Sequence, residues 1–248
     1  MPDTRGHRGP DPRDQLAFDP SAWPRLREAV ADLSWLLGHG YAEPSALKLV
    51  GDRLALTERQ RAAVRRCACS DDALARRIRH GRSVDDLRGR QICIDGFNVL
   101  TTLETALGGG VVLSSRDGCY RDVASVHGTY RKVEETRPAL LLLGEFLAGL
   151  EAGPALWYLD SPVSNSGRLK VEILRTAELR SWVWQVELVF NPDSILAASA
   201  EIAATADSVI LDRCESWVNL ARAVIEATVP GAFVVDLGRA GSLPEGCD

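Results

Sequence analysis

Gln91-Ile92-Cys93-Ile94-Asp95-Gly96-Phe97-Asn98-Val99-Leu100 is the stretch that decides the fold. Its first half is a short apolar run ending on an acid, and a glycine joins that run to the start of a helix. The same texture recurs downstream. Ala155 to Asp160 is a second apolar run closed by an acid, and Val183 to Phe190 reads as a third strand. Ser208 to Asp212 reads as a fourth and Ala232 to Asp236 as a fifth. Helical stretches separate them: Pro138 to Leu150, Arg168 to Arg180, Ile195 to Ala206 and Glu215 to Ala227. Strands that alternate with helices need crossover connections, so the sheet is expected to be parallel and covered on both faces. The expectation for residues 91–248 is therefore a doubly wound α/β domain. Val111 to Ser115, after Gly108-Gly109-Gly110, adds a short strand in an insertion.

Upstream the period changes. Leu26, Val30, Leu33 and Leu37 recur at three- and four-residue spacing until Gly38 and Gly40 stop the helix. A second helix fits Pro44 to Arg53, with Ala46, Leu49 and Val50 on one face. Thr57 with Gln60 forms a capping-box pattern that opens an arginine-rich helix ending near Cys69. Ser70 caps a fourth helix, through Ile78, and Gly81 closes it. Residues 25–90 thus read as a small all-α module. Short helix pairs of this kind are common, and helix-turn-helix DNA binding is the sharper alternative. Residues 1–24, rich in Pro, Asp, Arg and Gly, read as a disordered leader.

The chain has 248 residues, 46% of them hydrophobic and 25% charged, the composition of an ordinary globular protein. No apolar run approaches the roughly 20 residues that span a bilayer. No secretory h-region opens the sequence, so a cytoplasmic location with no membrane partner is expected. Six scattered cysteines include one C-x-C pair, Cys67 and Cys69, and no second cluster. That pattern suits reduced structural thiols better than zinc. Residues 25–90 carry 14 Lys/Arg against 9 Asp/Glu, a net of +5, whereas residues 91–248 carry 12 against 21, a net of −9. A basic module followed by an acidic one points to an anionic partner held beside a cation site; two solvated surfaces that differ by chance are the plainer reading.

In an open parallel sheet, ligands bind outside the carboxyl ends of the strands. Asp95, Asp160, Asp212 and Asp236 each close a run read as a strand, and Asp193 lies just beyond the remaining one. Asp also begins loops and caps helices, so one such residue carries no information; several on one edge do. Two carboxylates about 4 Å apart repel by roughly 4 kcal/mol at an effective dielectric near 20. Such a cluster takes up protons or binds cations. Oxygen-only ligands favour Mg²⁺ or Mn²⁺. Asp95 is the strongest candidate: Gly96 would allow close approach of a ligand, and Asn98 would return its amide toward the carboxylate. Helix capping is the ordinary alternative for Asp95.

The D-G-x-N segment at Asp95 to Asn98, with acids at later strand ends, resembles the PIN-like and NYN superfamily of metal-dependent ribonucleases. Leu26 to about Ala68 is similar to the helical domain-of-unknown-function family 434, whose companion is a PIN-like domain matching Gln91 onward. The resemblance implies a PIN-like sheet in the order 3-2-1-4-5 and hydrolysis of RNA phosphodiesters by metal-activated water. It assigns metal to Asp95 and Asn98; Asp160, at the second strand end, joins the metal candidates by its position. Asp212, with Glu215 beside it, supplies the acid after the fourth strand. Asp207, in Thr205-Ala206-Asp207, resembles the T-x-D of some relatives but would enter the fourth strand at the wrong end. The catalytic candidates are Asp95, Asp160, Asp212 and Asp117, the last from Ser115-Arg116-Asp117-Gly118.

Arg116 and the polar loop from Ser161 to Arg168 are the substrate-binding candidates. Backbone N–H groups, Ser164, Asn165 and the next helix start could receive a phosphate, with Arg168 and Lys170 adding charge. A hairpin turn and a capped helix start are the plain structural readings of these two segments. His127 is a candidate general base, which a site that acidifies water does not require. Trp182 and Trp184 read as packing. The functional alternatives are a PIN-like module that binds RNA or protein without cutting, and another phosphoryl-handling enzyme. No G-x-G-x-x-G or P-loop follows the first strand, which counts against nucleotide cofactors.

Overall fold

The computed structural model describes residues 7–123 and 130–238. The chain opens with α1 (Asp14–Ala17), followed by α2 (Trp23–Gly38), α3 (Glu43–Arg53), α4 (Glu58–Cys67) and α5 (Asp71–His80). Strand β1 (Gly81–Arg82) leads to β2 (Ile92–Asp95), α6 (Gly96–Leu107) and the hairpin β3 (Val112–Ser114) and β4 (Tyr120–Asp122). Next come α7 (Thr136–Gly149), β5 (Ala155–Asp160), α8 (Ser166–Arg180) and β6 (Trp184–Val189). The described residues continue through α9 (Pro192–Ala197), β7 (Ile202–Ala204), α10 (Ser208–Leu211), β8 (Trp217–Val218), α11 (Leu220–Thr228) and β9 (Val234–Asp236).

Six strands form one parallel sheet in the order β1-β8-β7-β2-β5-β6. Alternation along β2 sends Ile92 and Ile94 to one face, where they meet Leu100 and Leu103 of α6, Leu140 of α7, Ile173 of α8 and Val224 of α11. Cys93 points to the other face and joins Leu196 of α9, Ile210 of α10 and Trp217. Helices thus cover both faces of a parallel sheet. No helix among the described residues is long and apolar enough to cross a membrane.

The fourth and fifth expected strands are corrected. Ser208 to Leu211 is helix α10, because Asp207 caps it by accepting the Val209 N–H at 2.7 Å. The strand beside β2 is instead β7, inside the stretch read as a helix from Ile195 to Ala206. Its alanines have high helix propensity, but Ala203 and Ala204 are fully buried between β2 and β8, where packing overrides propensity. Residues 232–236 do contain a strand, β9, but it pairs with β3 in a separate three-stranded sheet, β4-β3-β9. The helix expected from Glu215 starts only at Leu220, behind β8.

The small sheet belongs to the helical module. Leu113, Val235 and Leu237 share a core with Leu26, Val30 and Leu33 of α2 and Val64 of α4. The Thr57–Gln60 capping box forms as expected, whereas Leu49 of α3 faces outward. Residues 7–22, expected as a disordered leader, contribute to the same core: Phe18 is fully buried, and Asp14 is buried in an ion pair with Arg59.

Candidate functional site

Four consecutive strands deliver carboxylates to the carboxyl edge of the six-stranded sheet. Asp95 ends β2, Asp160 ends β5, Asp193 opens α9 just after β6, and Asp207 follows β7. Asp95 is 8% exposed and its Oδ2 accepts the Thr205 hydroxyl at 2.7 Å. Burial pushes its carboxyl up to about 7; the Thr205 bond opposes that, and the charges of Asp207 and Asp193 reinforce it. Burial also raises Asp193, with Asp207 and Asp160 adding to it. Burial raises Asp160 as well, and its Oδ1 is enclosed without a hydrogen-bond partner. The charge of Asp207 thus acts on both Asp95 and Asp193, and burial disfavours the ionised form of Asp95, Asp160 and Asp193.

The turns that hold them are built from the sequence around Asp95 and Thr205. A Cβ on Gly96 would stand 2.5 Å from the Leu159 side chain and 3.0 Å from the Tyr158 carbonyl oxygen. Gly96 is therefore required by close packing of α6 on β5, which replaces the expectation of ligand approach. Asn98 does not turn its amide to Asp95; its Oδ1 accepts the Ala206 N–H at 2.8 Å. That bond fastens the first turn of α6 to the turn after β7. The Thr205 hydroxyl also accepts the Asp207 N–H at 3.0 Å, so one threonine fixes both acids.

Asp117 and Asp212 stand elsewhere. Arg77 of α5 grips Asp212 through Nε at 2.7 Å and Nη2 at 2.9 Å, and reaches Asp117 through Nη1 at 2.6 Å. Arg121 adds two bonds to Asp117 at 2.8 and 2.7 Å. Burial alone would raise the Asp117 carboxyl, but Arg121 and then Arg77 outweigh it and hold it well below the usual range. Both acids serve an ion network that joins the helical module to the β3–β4 hairpin. Arg121 extends that network to the acidic edge by donating Nε–H to the Ala206 carbonyl at 2.8 Å. Exposed Glu215 lies on the return path to the amino end of β8, away from the acidic edge.

The expected phosphate grip is partly spent. Arg116 donates to the Cys69 carbonyl at 2.7 Å and pairs with Asp71, so it faces the helical module. Asn165 sits in the left-handed region and donates its amide to the Tyr130 carbonyl at 2.9 Å. Ser164 and Arg168 are exposed and Lys170 is half-buried, around the start of α8 beside Asp160. Trp182 and Trp184 pack ring on ring at 4.9 Å. Cys67, Cys69, Cys93, Cys119 and Cys214 are buried free thiols. His127 and Cys247 lie outside the described residues.

Residues 84–223, spanning all four strand-end acids, match the family model described as domain of unknown function DUF5616. The chain belongs to this family. Residues 25–80, the helices α2 to α5, match a second model, protein of unknown function DUF434. Uncharacterized protein MJ0935 of Methanocaldococcus jannaschii is 34% identical over 186 residues, covering 75% of this chain and 88% of its own length. No solved structure matches the chain.

Within the DUF5616 domain, a divalent cation is tested by the donors present. Among the described residues no three His, Cys, Asp or Glu side chains are gathered to ligate one metal ion. The edge offers instead separate carboxylates, one with a buried oxygen lacking any partner. That suits a hard cation held by one or two carboxylates with water or phosphate oxygens completing its shell, which is the usual way Mg²⁺ is bound. Asp193, which the sequence places just beyond the third strand, and Thr205, of the T-x-D segment, join the edge although neither was among the candidate site residues. Their signal is position relative to β6 and β7, and β7 itself was hidden.

Proposed function

We propose that the DUF5616 domain is a PIN-like, divalent-cation-dependent nuclease that hydrolyses RNA phosphodiesters, with the helical module helping to place the strand. The observation that carries this reading is the row Asp193, Asp160, Asp95 and Asp207 along one carboxyl edge, with Asp95 buried and raised to about 7. With Ile202–Ala204 and Trp217–Val218 counted as fourth and fifth, the run β6-β5-β2-β7-β8 takes the order 3-2-1-4-5, which supports the PIN-like assignment.

Asp95 and Asp207 would hold Mg²⁺ or Mn²⁺, with Asp160 and Asp193 flanking. The cation would supply Lewis acidity and a water ionised near neutral pH. Asn98 and Thr205 keep the two acid-bearing turns in register. Arg168, at the first turn of the 15-residue helix α8, adds positive charge where the dipole already favours a phosphate.

The lack of a preassembled trio of ligands among the described residues favours, as a second reading, a module that binds RNA or a partner without cutting. One assay separates the two. Purified protein with Mn²⁺ should cut single-stranded RNA, chelation should stop it, and Asp95→Asn/Asp207→Asn should abolish it. Equal cleavage by the double variant would sink the nuclease reading. Salt-sensitive RNA binding without cleavage by either protein would establish the second.

A further inference from the structure

We infer that the outer edge of β6 is a homodimer seam, on which a second copy of this chain pairs antiparallel to extend the sheet. Strand β6 ends the sheet opposite β1, and the two edges differ. β1 has two residues, whereas β6 has six, Trp-Gln-Val-Glu-Leu-Val, with no Pro, Lys or Gly to blunt it. The Ala155 and Ser161 N–H groups bond to the Val183 and Val189 carbonyls. Odd-numbered residues of β6 therefore point their backbone groups at β5. Val186 and Leu188 turn both of theirs outward, toward no strand among the described residues, and Trp184 turns its carbonyl outward while its N–H closes a turn on the Trp182 carbonyl at 3.0 Å.

Apolar exposure is concentrated on the same flank. Of the thirteen large apolar side chains exposed among the described residues, seven lie between 171 and 195. Val183 and Phe190, which bracket β6, are 65% and 83% exposed. Helix α8, which lies against β6, leaves Val171 and Leu174 in solvent as well. An exposed long edge beside an apolar flank is a pairing template.

The register of β6 and the charges on α8 fit a second copy of the chain as occupant. A two-fold axis at Val186 pairs Trp184 with Leu188 of the second copy and sets Gln185 opposite its Glu187, so every residue from 184 to 188 finds a partner. Shifting the axis to Glu187 would set the two Glu187 carboxylates against each other, which is unfavourable. The exposed face of α8 carries Arg175 and Glu178 one turn apart, a pattern that is its own complement across such an axis. Because the strands run antiparallel, the two acidic edges would open at opposite sides of a continuous twelve-stranded sheet. The seam does not depend on whether those edges cut RNA.

Sedimentation equilibrium of the full chain over a micromolar range tests the seam, with Gln185→Glu and Gln185→Lys as register probes. Residue 185 is exposed, so neither change should harm the fold, as circular dichroism would verify. The parent should dimerise. Gln185→Glu puts two like-charge pairs into the seam and should weaken the dimer roughly two- to thirtyfold, while Gln185→Lys should strengthen it by a similar factor. A monomeric parent would overturn the proposal and leave the edge to a different protein's strand. A dimer indifferent to both changes would also overturn it, because its interface would lie elsewhere.

Discussion

Replacing Asp95 with asparagine should stabilise the metal-free protein, and only on the alkaline side. Asparagine keeps the shape and can still accept the Thr205 hydroxyl, but it carries no charge into the buried edge. Raising a carboxyl from the ordinary 3.8 to about 7 corresponds to about 4 kcal/mol at roughly 1.36 kcal/mol per tenfold. The sign follows from proton counting. Between the two values the native state holds a proton that the unfolded chain has released, so parent stability falls as pH rises from about 4 to about 7 and levels off above. The Asn variant escapes that loss. In chelator at pH 8.5, urea denaturation should find Asp95→Asn more stable by up to about 4 kcal/mol, or roughly 8–16 °C in Tm for a chain of this size. At pH 4 the two proteins should coincide. A variant less stable than the parent at pH 8.5, or an equal gain at both pH values, would refute the claim that Asp95 is a desolvated, repelled carboxylate.

Three further substitutions probe the supports of the edge. Gly96→Ala should cost about 1–3 kcal/mol by urea denaturation, because its methyl meets Leu159 in a packed core; unchanged stability would contradict the close approach of α6 to β5. Asn98→Ala strands the buried Ala206 N–H, so it should cost about 1–3 kcal/mol and speed hydrogen exchange at Ala206, where unaltered exchange would dismiss the bond. Arg121→Met removes one partner of buried Asp117 and should cost about 3–5 kcal/mol near neutral pH. Since Asp117 titrates below its ordinary range, that difference should be full above about pH 4 and shrink as pH falls further, which acid titration of both proteins would check.

The sequence displayed the elements whose local and tertiary signals agree. β2, β5 and β6 are apolar runs of β-formers, and each is a strand. Thr57 and Ser70 mark helix starts, and α4 and α5 begin there. Errors arose where the signals conflict. Ile202–Ala204 is alanine-rich, and alanine reads as helix, yet pairing with β2 and β8 makes it a strand whose Ala203 and Ala204 are buried on opposite faces. Ser-Val-Ile-Leu from 208 to 211 reads as strand, yet the Asp207 cap and the need to turn back to β8 make it a helix. Those two errors exchanged Asp207 for Asp212 at the fourth strand end. The ion network of Arg77, Asp117, Arg121 and Asp212 was illegible for another reason: its members are up to 135 positions apart and meet only because the helical module folds onto the β3–β4 hairpin.

The carboxyl edge around Asp95 is proposed to take a divalent cation in place of a proton. Isothermal titration of Mn²⁺ into the full chain at pH 6, in two buffers of different ionisation enthalpy, tests it most directly. The parent should bind Mn²⁺ and release about one proton to the buffer as the cation displaces it from the Asp95 carboxyl. That release should vanish at pH 8.5, and Asp95→Asn should bind far more weakly at both. Absence of Mn²⁺ binding by the parent, or equal affinity and proton release in Asp95→Asn, would contradict the account.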